Sequence, residues 1–276
     1  MSPFALIAGS VLLLLLPRLV LPGRQPRLEG RNYQRLRSHL RMIFRIWSAP
    51  KPEMPLHLRP LWWINQLYCG VWHQLQVENE PPLPDTGPAI LVANHTCGID
   101  HLILQCGTRR VLGFMVAQEF YDYWVYHPFC VAIGCIPVKR DGRDQTAIRT
   151  ALRVLKEGRV LPIFPEGRIN PTSGREFLDA KPGAAFIALR SGVPVIPAYI
   201  RGTPPTNEIG ASLTTPSRAR LVFGPPIDLS DLTGPDVGHD RERINLAEAT
   251  ERIMSALRAL RDQSGIPCPE AQLASP

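Results

Sequence analysis

Residues 89–100 read AILVANHTCGID, five apolar residues followed directly by an Asn-His pair. A short apolar run bounded by turn residues predicts a buried β-strand over Ala89–Ala93. His95 would then lie at the end of this strand, and Asp100 in the first turn of the next helix. On one continuous helix the two side chains would point about 140° apart, so only a strand, loop and helix in succession bring them together.

The same pattern of short apolar runs recurs further along the chain, past the Pro-rich stretch at residues 81–84. It predicts strands at 112–116, 131–138, 160–164, 193–200 and 219–223. Helical periodicity lies between them at 144–157 and 181–190, and a last amphipathic helix spans about 240–261. Strands that alternate with helices predict an α/β fold with a largely parallel sheet flanked by helices.

The spacing of His95 and Asp100 suits proton transfer. A carboxylate that accepts a hydrogen bond from one ring nitrogen holds the imidazole in one tautomer, and the other nitrogen can then take a proton from a hydroxyl. No Ser or Cys nucleophile is needed if the substrate brings that hydroxyl. The spacing alone is weak evidence, because such a pair occurs by chance in many chains of this length.

Two further strand ends carry charged residues. Residues 164–168, FPEGR, form a turn whose main-chain N–H groups and guanidinium suit an anion such as phosphate. Residues 134–140, GCIPVKR, are an apolar strand that ends in Lys139 and Arg140. Because open α/β sheets bind ligands at the carboxyl ends of their strands, we expect the three strand ends to face one crevice.

These blocks, in this order, resemble the glycerolipid acyltransferase superfamily, typified by bacterial 1-acylglycerol-3-phosphate acyltransferase. The resemblance covers residues 85–225 and includes four blocks of the family. The residues that carry it are Asn94, His95 and Asp100 in the first block, Gly134 and Arg140 in the second, Phe164, Pro165, Glu166 and Gly167 in the third, and Pro194 in the fourth.

The chain departs from the family pattern at two places. The third block of the family usually continues Thr-Arg-Ser after the Gly, whereas here Arg168 comes one position early. In the second block Pro137 stands where the family commonly has Phe, and Lys139 where it often has an acid. Both departures lie in blocks expected to contact the acceptor headgroup.

The resemblance implies an O-acyltransferase in which His95, oriented by Asp100, is the general base. The acyl donor is acyl-CoA or acyl carrier protein, the acceptor is a free hydroxyl of a lysophospholipid, and neither a covalent acyl-enzyme nor a metal or other cofactor is required. The acceptor phosphate and glycerol would be held by Arg140, Lys139, Glu166, Gly167 and Arg168. The leading acceptor is 1-acylglycerol-3-phosphate, which gives phosphatidate, and another lysolipid or a glycerol phosphate is the alternative.

Two other functions remain open at this point. Water in place of the acceptor hydroxyl would make the same His-Asp pair a thioesterase, which would leave Arg140 and Arg168 without a purpose. A non-catalytic membrane lipid-binding protein would have no chemical reason to keep both His95 and Asp100. The six Cys contain no C-x-x-C pair and no spacing typical of zinc, which argues against a disulfide scaffold or a metal site.

The net charge of +7 is concentrated at the amino end, where residues 1–77 hold ten Arg and Lys against two acids. Residues 1–22 are mainly apolar and only marginally long enough to span a bilayer, and they lack the features of a cleaved signal peptide. We predict a hydrophobic membrane anchor at 1–22 and a basic, Trp-rich amphipathic helical segment at the membrane interface at 23–80. Seven Arg follow the apolar run, which predicts the cytoplasmic face of the inner membrane.

The helix predicted around residues 61–75 has two interpretations. Ile64, Leu67, Val71 and Leu75 recur at helical spacing, and this stripe either lies among lipid headgroups or packs on the main core. The basic run is otherwise a solvated helix face, and a nucleic-acid surface is disfavoured because the remaining residues are nearly neutral. The catalytic domain is predicted at 81–264, and the tail at 265–276 is predicted to be disordered.

Overall fold

A five-stranded sheet forms the centre of the fold, accompanied by a smaller sheet of two strands. The computed structural model describes residues 54–139, 145–233 and 239–265. In these ranges the strands are β1 Gln76–Val77, β2 Ala89–Ala93, β3 Met115–Ala117, β4 Ile136–Val138, β5 Val160–Ile163, β6 Val195–Arg201 and β7 Arg220–Phe223. The predicted anchor at 1–22, the interface segment before residue 54 and the tail after residue 265 lie outside the described residues.

The large sheet has the strand order β1-β7-β6-β2-β5. The central strand β2 pairs in parallel with β5 on one side and with β6 on the other, whereas β6 and β7 are antiparallel. The small sheet pairs β3 with β4 in parallel. Parallel pairing brings the carboxyl ends of β2, β5 and β6 to one edge of the sheet, and the predicted largely parallel α/β architecture is confirmed.

Helices cover both faces of this sheet. In the described ranges the α-helices are α1 Arg59–Val71, α2 Asp100–Cys106, α3 Gln118–Tyr121, α4 His127–Ile133, α5 Gln145–Lys156, α6 Gly183–Ser191, α7 Ile209–Thr214 and α8 His239–Gln263. Every residue of β2 is completely buried. Leu91 belongs to one hydrophobic cluster with α2, and Ile90 belongs to another with α5, α6 and α8. A strand covered on both faces must be apolar throughout, which is why its sequence does not alternate.

The predicted strand at 131–138 is wrong in its first half. Helix α4 continues to Ile133 and ends at Gly134, which adopts a left-handed conformation with φ +69°, and only Ile136–Val138 is a strand. The guanidinium of Arg159 donates hydrogen bonds to the carbonyl oxygens of Ile133 and Gly134, at 2.9 and 3.1 Å. A distant Arg therefore satisfies the end of this short helix, and no signal within 131–138 reveals it.

Helix α1 presents two apolar faces, and the three residues of the predicted stripe that belong to the helix lie on the exposed face. Its buried face carries Trp62, Asn65 and Cys69, and the Asn65 amide donates to the Leu102 carbonyl of α2 at 2.9 Å. Ile64, Leu67 and Val71 are 63, 49 and 50% exposed, whereas Leu75 lies beyond the end of the helix and packs, partly buried, against the core. Helix α1 therefore packs on the core, which is one of the two interpretations of the sequence. It does so through the face of Trp62, Asn65 and Cys69, and not through the stripe that the periodicity indicated. In the part of the chain that the structure describes, no helix is both long and apolar enough to cross a bilayer.

Candidate active site

The carboxyl end of β2 brings His95 and Asp100 together. The Nδ1 atom of His95 lies 2.8 Å from Oδ2 of Asp100, which is the hydrogen bond expected from the sequence. Asp100 is the first residue of α2 and is completely buried, while 22% of the His95 side chain is exposed. A carboxylate only accepts, so Nδ1 is the donor in this hydrogen bond, and in the neutral imidazole Nε2 is then the acceptor.

Asp100 accepts hydrogen bonds from more than the imidazole. The Cys97 N–H donates to Oδ2 at 3.0 Å, the Thr96 N–H donates to the same oxygen, and the Thr96 hydroxyl donates to Oδ1 at 2.6 Å. The carboxylate therefore orders the whole turn between strand and helix. These donors, together with the N-terminus of α2, stabilise a negative charge on the carboxylate.

The neighbouring strand fixes the loop that carries His95. The Asn94 side chain accepts from the Ile200 N–H and donates to the Ile200 carbonyl, both at 2.8 Å, and so extends the pairing of β2 with β6. The Thr203 hydroxyl donates to that of Thr96 at 2.8 Å. On the far side of the turn, the Gly98 N–H donates to the Ser212 hydroxyl of α7 at 3.1 Å.

Glu166 is buried and is hydrogen-bonded to the main chain. Its Oε1 accepts from the His95 N–H at 3.0 Å and its Oε2 accepts from the Leu178 N–H at 2.8 Å. Burial raises the pKa of this carboxyl, and the two N–H donors oppose the rise. Glu166 thus ties the end of β5 to the His95 loop, a contact that the sequence motif does not reveal.

Aromatic rings line one side of His95. The Phe164 ring is stacked on the imidazole, with centroids 4.2 Å apart and planes inclined by 14°. Phe114 is stacked behind Phe164 at 6.5 Å, and the edge-on ring of His101 follows at 5.9 Å from Phe114. Burial lowers the pKa of His101 to about 4, so this ring is neutral at pH 7. The sequence identified Phe164 as part of a motif, but it revealed neither the stack nor the place of Phe114.

Cations lie around the third block. Gly167 has φ +66°, and a Cβ at this position would lie 2.9 Å from methylene carbons of Lys181, whose side chain crosses the turn. Arg168 and Lys139, which follows β4, are exposed. Arg140 lies outside the described residues. The structure therefore adds Lys181, the first residue of the helix predicted at 181–190, to Arg168 as a cation at the Gly167 turn.

Other predicted motif residues lie away from His95. Gly134 ends α4, and the Pro194 carbonyl accepts from the Ile90 N–H at 2.9 Å, near the amino end of β2. A cavity of about 360 Å³ is lined by Arg159 and Val160, at the amino end of β5. It therefore lies at the opposite edge of the sheet from His95. Within the described ranges no three His, Cys, Asp or Glu side chains are grouped as metal ligands.

Cys97 is the nearest thiol to the candidate base. Its Sγ lies 3.5 Å from Oδ1 of Asp100 and is completely buried. Burial, followed by the Asp100 charge, raises the pKa of this thiol, so it stays protonated at neutral pH. A protonated, inaccessible thiol is a poor nucleophile, and the geometry favours chemistry at the imidazole.

The comparisons with known proteins support the glycerolipid acyltransferase superfamily, and with it an acyltransferase enzyme. The model of the Acyltransferase family matches residues 74–201. The chain is similar to the 1-acyl-sn-glycerol-3-phosphate acyltransferase of Bacillus subtilis, with 27% identity over 191 residues, 68% of this chain and 89% of that protein. The predictions of the superfamily and of an acyltransferase enzyme are therefore confirmed.

One further relative and one solved structure are also similar to this chain. The enzyme of the same name from Streptococcus pneumoniae is 31% identical over 145 residues, 52% of this chain and 51% of that protein. The crystal structure of the 1-acyl-sn-glycerophosphate acyltransferase from Thermotoga maritima matches with a TM-score of 0.56 and 21% identity. It covers 83% of this chain and 98% of that chain, and it shows that the fold is shared.

Proposed function

We propose that the protein transfers a fatty acyl group from acyl-CoA or acyl carrier protein to 1-acylglycerol-3-phosphate, giving phosphatidate. The observation that carries the proposal is the 2.8 Å hydrogen bond from the His95 imidazole to the buried Asp100 carboxylate, at the carboxyl end of β2. The relatives from Bacillus subtilis and Streptococcus pneumoniae, which bear the name of this activity, support the choice of acceptor.

In the proposed reaction Nε2 of His95 removes the proton from the acceptor hydroxyl as that oxygen attacks the thioester carbonyl. Asp100 stabilises the resulting imidazolium through the Nδ1 hydrogen bond. The tetrahedral intermediate then collapses, the carbon–sulfur bond breaks, and the imidazolium returns its proton to the leaving thiolate. General base catalysis of this kind contributes typically about 10²–10⁴-fold in rate.

The acceptor phosphate would be held by cations around the third block. Arg140, Lys139 and Arg168 are the candidates from the sequence, and Lys181 joins them because its side chain lies across Gly167. Glu166 accepts from two main-chain N–H groups, so in this proposal it positions the Gly167 turn and His95 and leaves the phosphate to the cations.

We further propose that the enzyme acts at a membrane on its cytoplasmic face. Residues 1–22 would serve as anchor, residues 23–80 would lie at the interface, and the catalytic domain would span 81–264. The exposed stripe of Ile64, Leu67 and Val71 supports this arrangement, because an apolar helix face that is exposed in the part of the chain that the structure describes suits lipid. An acceptor and a product that reside in the bilayer would then be reached directly.

The experiment is transfer of a labelled acyl group from acyl-CoA and from acyl carrier protein to a panel of lysophospholipids and glycerol phosphates. Wild type is compared with His95→Gln, and His57→Gln serves as the matched control because His57 is exposed and lies on a different segment. Transfer that only His95→Gln abolishes establishes the base and names the acceptor.

Two outcomes would contradict the proposal. Equal thioester consumption with and without His95, and no acylated acceptor, would leave the lipid-binding alternative. Release of free fatty acid that depends on His95 would favour the thioesterase.

A further inference from the structure

An aromatic turn projects from the described surface between β3 and α4. We define it as residues 121–126, whose sequence is YDYWVY. Tyr123, Trp124 and Val125 are 51, 78 and 49% exposed, and Trp124 is the most exposed large apolar side chain of the described ranges. Isolated exposed apolar residues are ordinary, but three in succession at the tip of one turn form a patch.

The turn holds these side chains in a defined conformation. The Tyr126 and His127 N–H groups both donate to the Tyr123 carbonyl at 2.9 Å. The Tyr123 ring centroid lies 5.6 Å from that of Tyr126 and 6.5 Å from that of Trp124. Main-chain hydrogen bonds and ring contacts therefore order the patch without burying it.

The aromatic turn is on the catalytic side of the fold. It follows α3, which begins directly after the carboxyl end of β3, and β3 runs parallel to β4, the strand that leads to Lys139. Leu112, just before β3, pairs in parallel with Val160 at the start of β5. The carboxyl ends of these strands thus point the same way as the β5 end that carries Phe164.

The charge around the turn distinguishes between classes of partner. No Lys or Arg occurs from residue 111 to residue 138, whereas Glu119 and Asp122 are acidic. A strongly acidic protein such as an acyl carrier would be repelled here, and anionic headgroups would not be attracted. Tyr and Trp rings with a polar edge and an apolar body prefer the headgroup layer of a bilayer.

We infer that the aromatic turn inserts into the lipid interface and so presents the catalytic edge of the sheet to an acceptor in the bilayer. The part of the inference that concerns the acceptor rests on the proposed function. The contact with lipid is argued from the exposed side chains and the charge around them, and it does not depend on that function. Because the side chains that make this contact are largely apolar, the contact should be insensitive to salt.

The first test measures lipid contact without any activity. Full-length wild type and Trp124→Phe are mixed with vesicles of zwitterionic phosphatidylcholine, with and without brominated acyl chains, which quench nearby Trp fluorescence. The fluorescence of wild type minus that of Trp124→Phe is the emission of Trp124 alone. We expect brominated chains to quench this emission equally at low and high salt. If they do not quench it, the inference is overturned.

The second test measures acyl transfer with Trp124→Ala and, as the matched control, Ile244→Ala, since Ile244 is 66% exposed on α8. Trp124→Ala should raise the apparent KM for a vesicle-borne acceptor roughly tenfold and leave a short-chain, monomeric acceptor unaffected. An equal change with both acceptors, or with both variants, would overturn the inference.

Failure of the proposed function and failure of the lipid contact give different results. Absence of transfer by wild type with every acceptor would refute the proposed function, while the fluorescence result would still decide the lipid contact. A dimer in sedimentation that Trp124→Ala dissociates would overturn the lipid contact and assign the turn to a second copy of the chain.

Discussion

The substitution Asp100→Asn tests the site most directly, because it removes one charge from a completely buried group and keeps its shape. Three hydrogen bonds converge on Oδ2, two from main-chain N–H groups and one from the imidazole. We expect these donors to fix the amide oxygen of Asn at the same place. The amide nitrogen would then face the Thr96 hydroxyl, which can turn and accept.

The size of the effect follows from this geometry. His95 keeps an acceptor for its Nδ1 hydrogen and therefore keeps its tautomer, but the imidazolium formed during the reaction loses its counter-charge. A hydrogen bond between charged groups contributes about 1.5–3 kcal/mol, against about 0.5–1.5 kcal/mol for a neutral one. The difference of about 1–2 kcal/mol corresponds to a kcat lowered about 5- to 30-fold.

The assay is the initial rate of acyl transfer at saturating acceptor and donor, with Tm measured by calorimetry on the same preparations. Asp100→Ala is the companion variant, because it leaves every one of these donors without its acceptor and should lower both kcat and stability further. An unchanged kcat in folded Asp100→Asn, alongside an inactive His95→Gln, would show that the imidazolium needs no counter-charge and would leave Asp100 a structural role only.

Three other changes are expected to have measurable effects. Burial lowers the pKa of His73 to about 4, so its contribution to stability is complete above pH 6.5 and is lost as the pH falls toward 4. Between pH 6.5 and pH 4 the wild type should therefore lose up to about 3 kcal/mol of stability that His73→Gln does not lose, and Tm measured against pH for both proteins tests this. Gly167→Ala, at φ +66° and against Lys181, should cost about 1–3 kcal/mol and raise the KM for the acceptor, and an unchanged KM would exclude the Lys181 contact. Phe164→Leu removes the ring stacked on His95 and should lower kcat about 2- to 10-fold with KM little changed, since such pairs contribute about 0.5–1.5 kcal/mol. Loss of acceptor affinity instead would indicate that Phe164 contacts substrate.

Much of the fold can be predicted from the sequence, because a central parallel strand must be apolar on both faces. The completely buried β2 coincides with the predicted strand Ala89–Ala93. The predicted helix at 144–157 agrees with Gln145–Lys156 to within one residue at each end, since Ala147 and Ala151 place one apolar stripe on the core. Local patterns suffice where one element buries its own residues.

The hydrogen bond between His95 and Asp100 can also be predicted from the sequence, because it depends on local geometry. His95 and Asp100 are separated by a single turn between strand and helix, and the turn itself supplies two of the donors to the carboxylate. A hydrogen bond over five residues depends on few other parts of the chain, so the motif predicts it directly.

The other contacts of the site join residues that are distant in the sequence. Glu166 reaches His95 across 71 positions, and Asn94 reaches Ile200 across 106. The end of α4 at Ile133 depends on Arg159, 26 positions later. No local pattern contains these pairs, because only the packing of separate elements decides which side chains meet.

The order of residues along the chain was enough to predict the strand that carries His95, its pairing with Asp100 and the family. Three features became visible only in the folded chain: Phe164 stacks on the imidazole, Lys181 crosses Gly167, and the stripe of α1 faces outward. Periodicity shows that a helix face is apolar, but it does not show what covers that face. The face of α1 that the core covers is the one that carries Trp62 and Cys69. Asn65 lies on the same face, and its hydrogen bond to the Leu102 carbonyl fixes that face against α2.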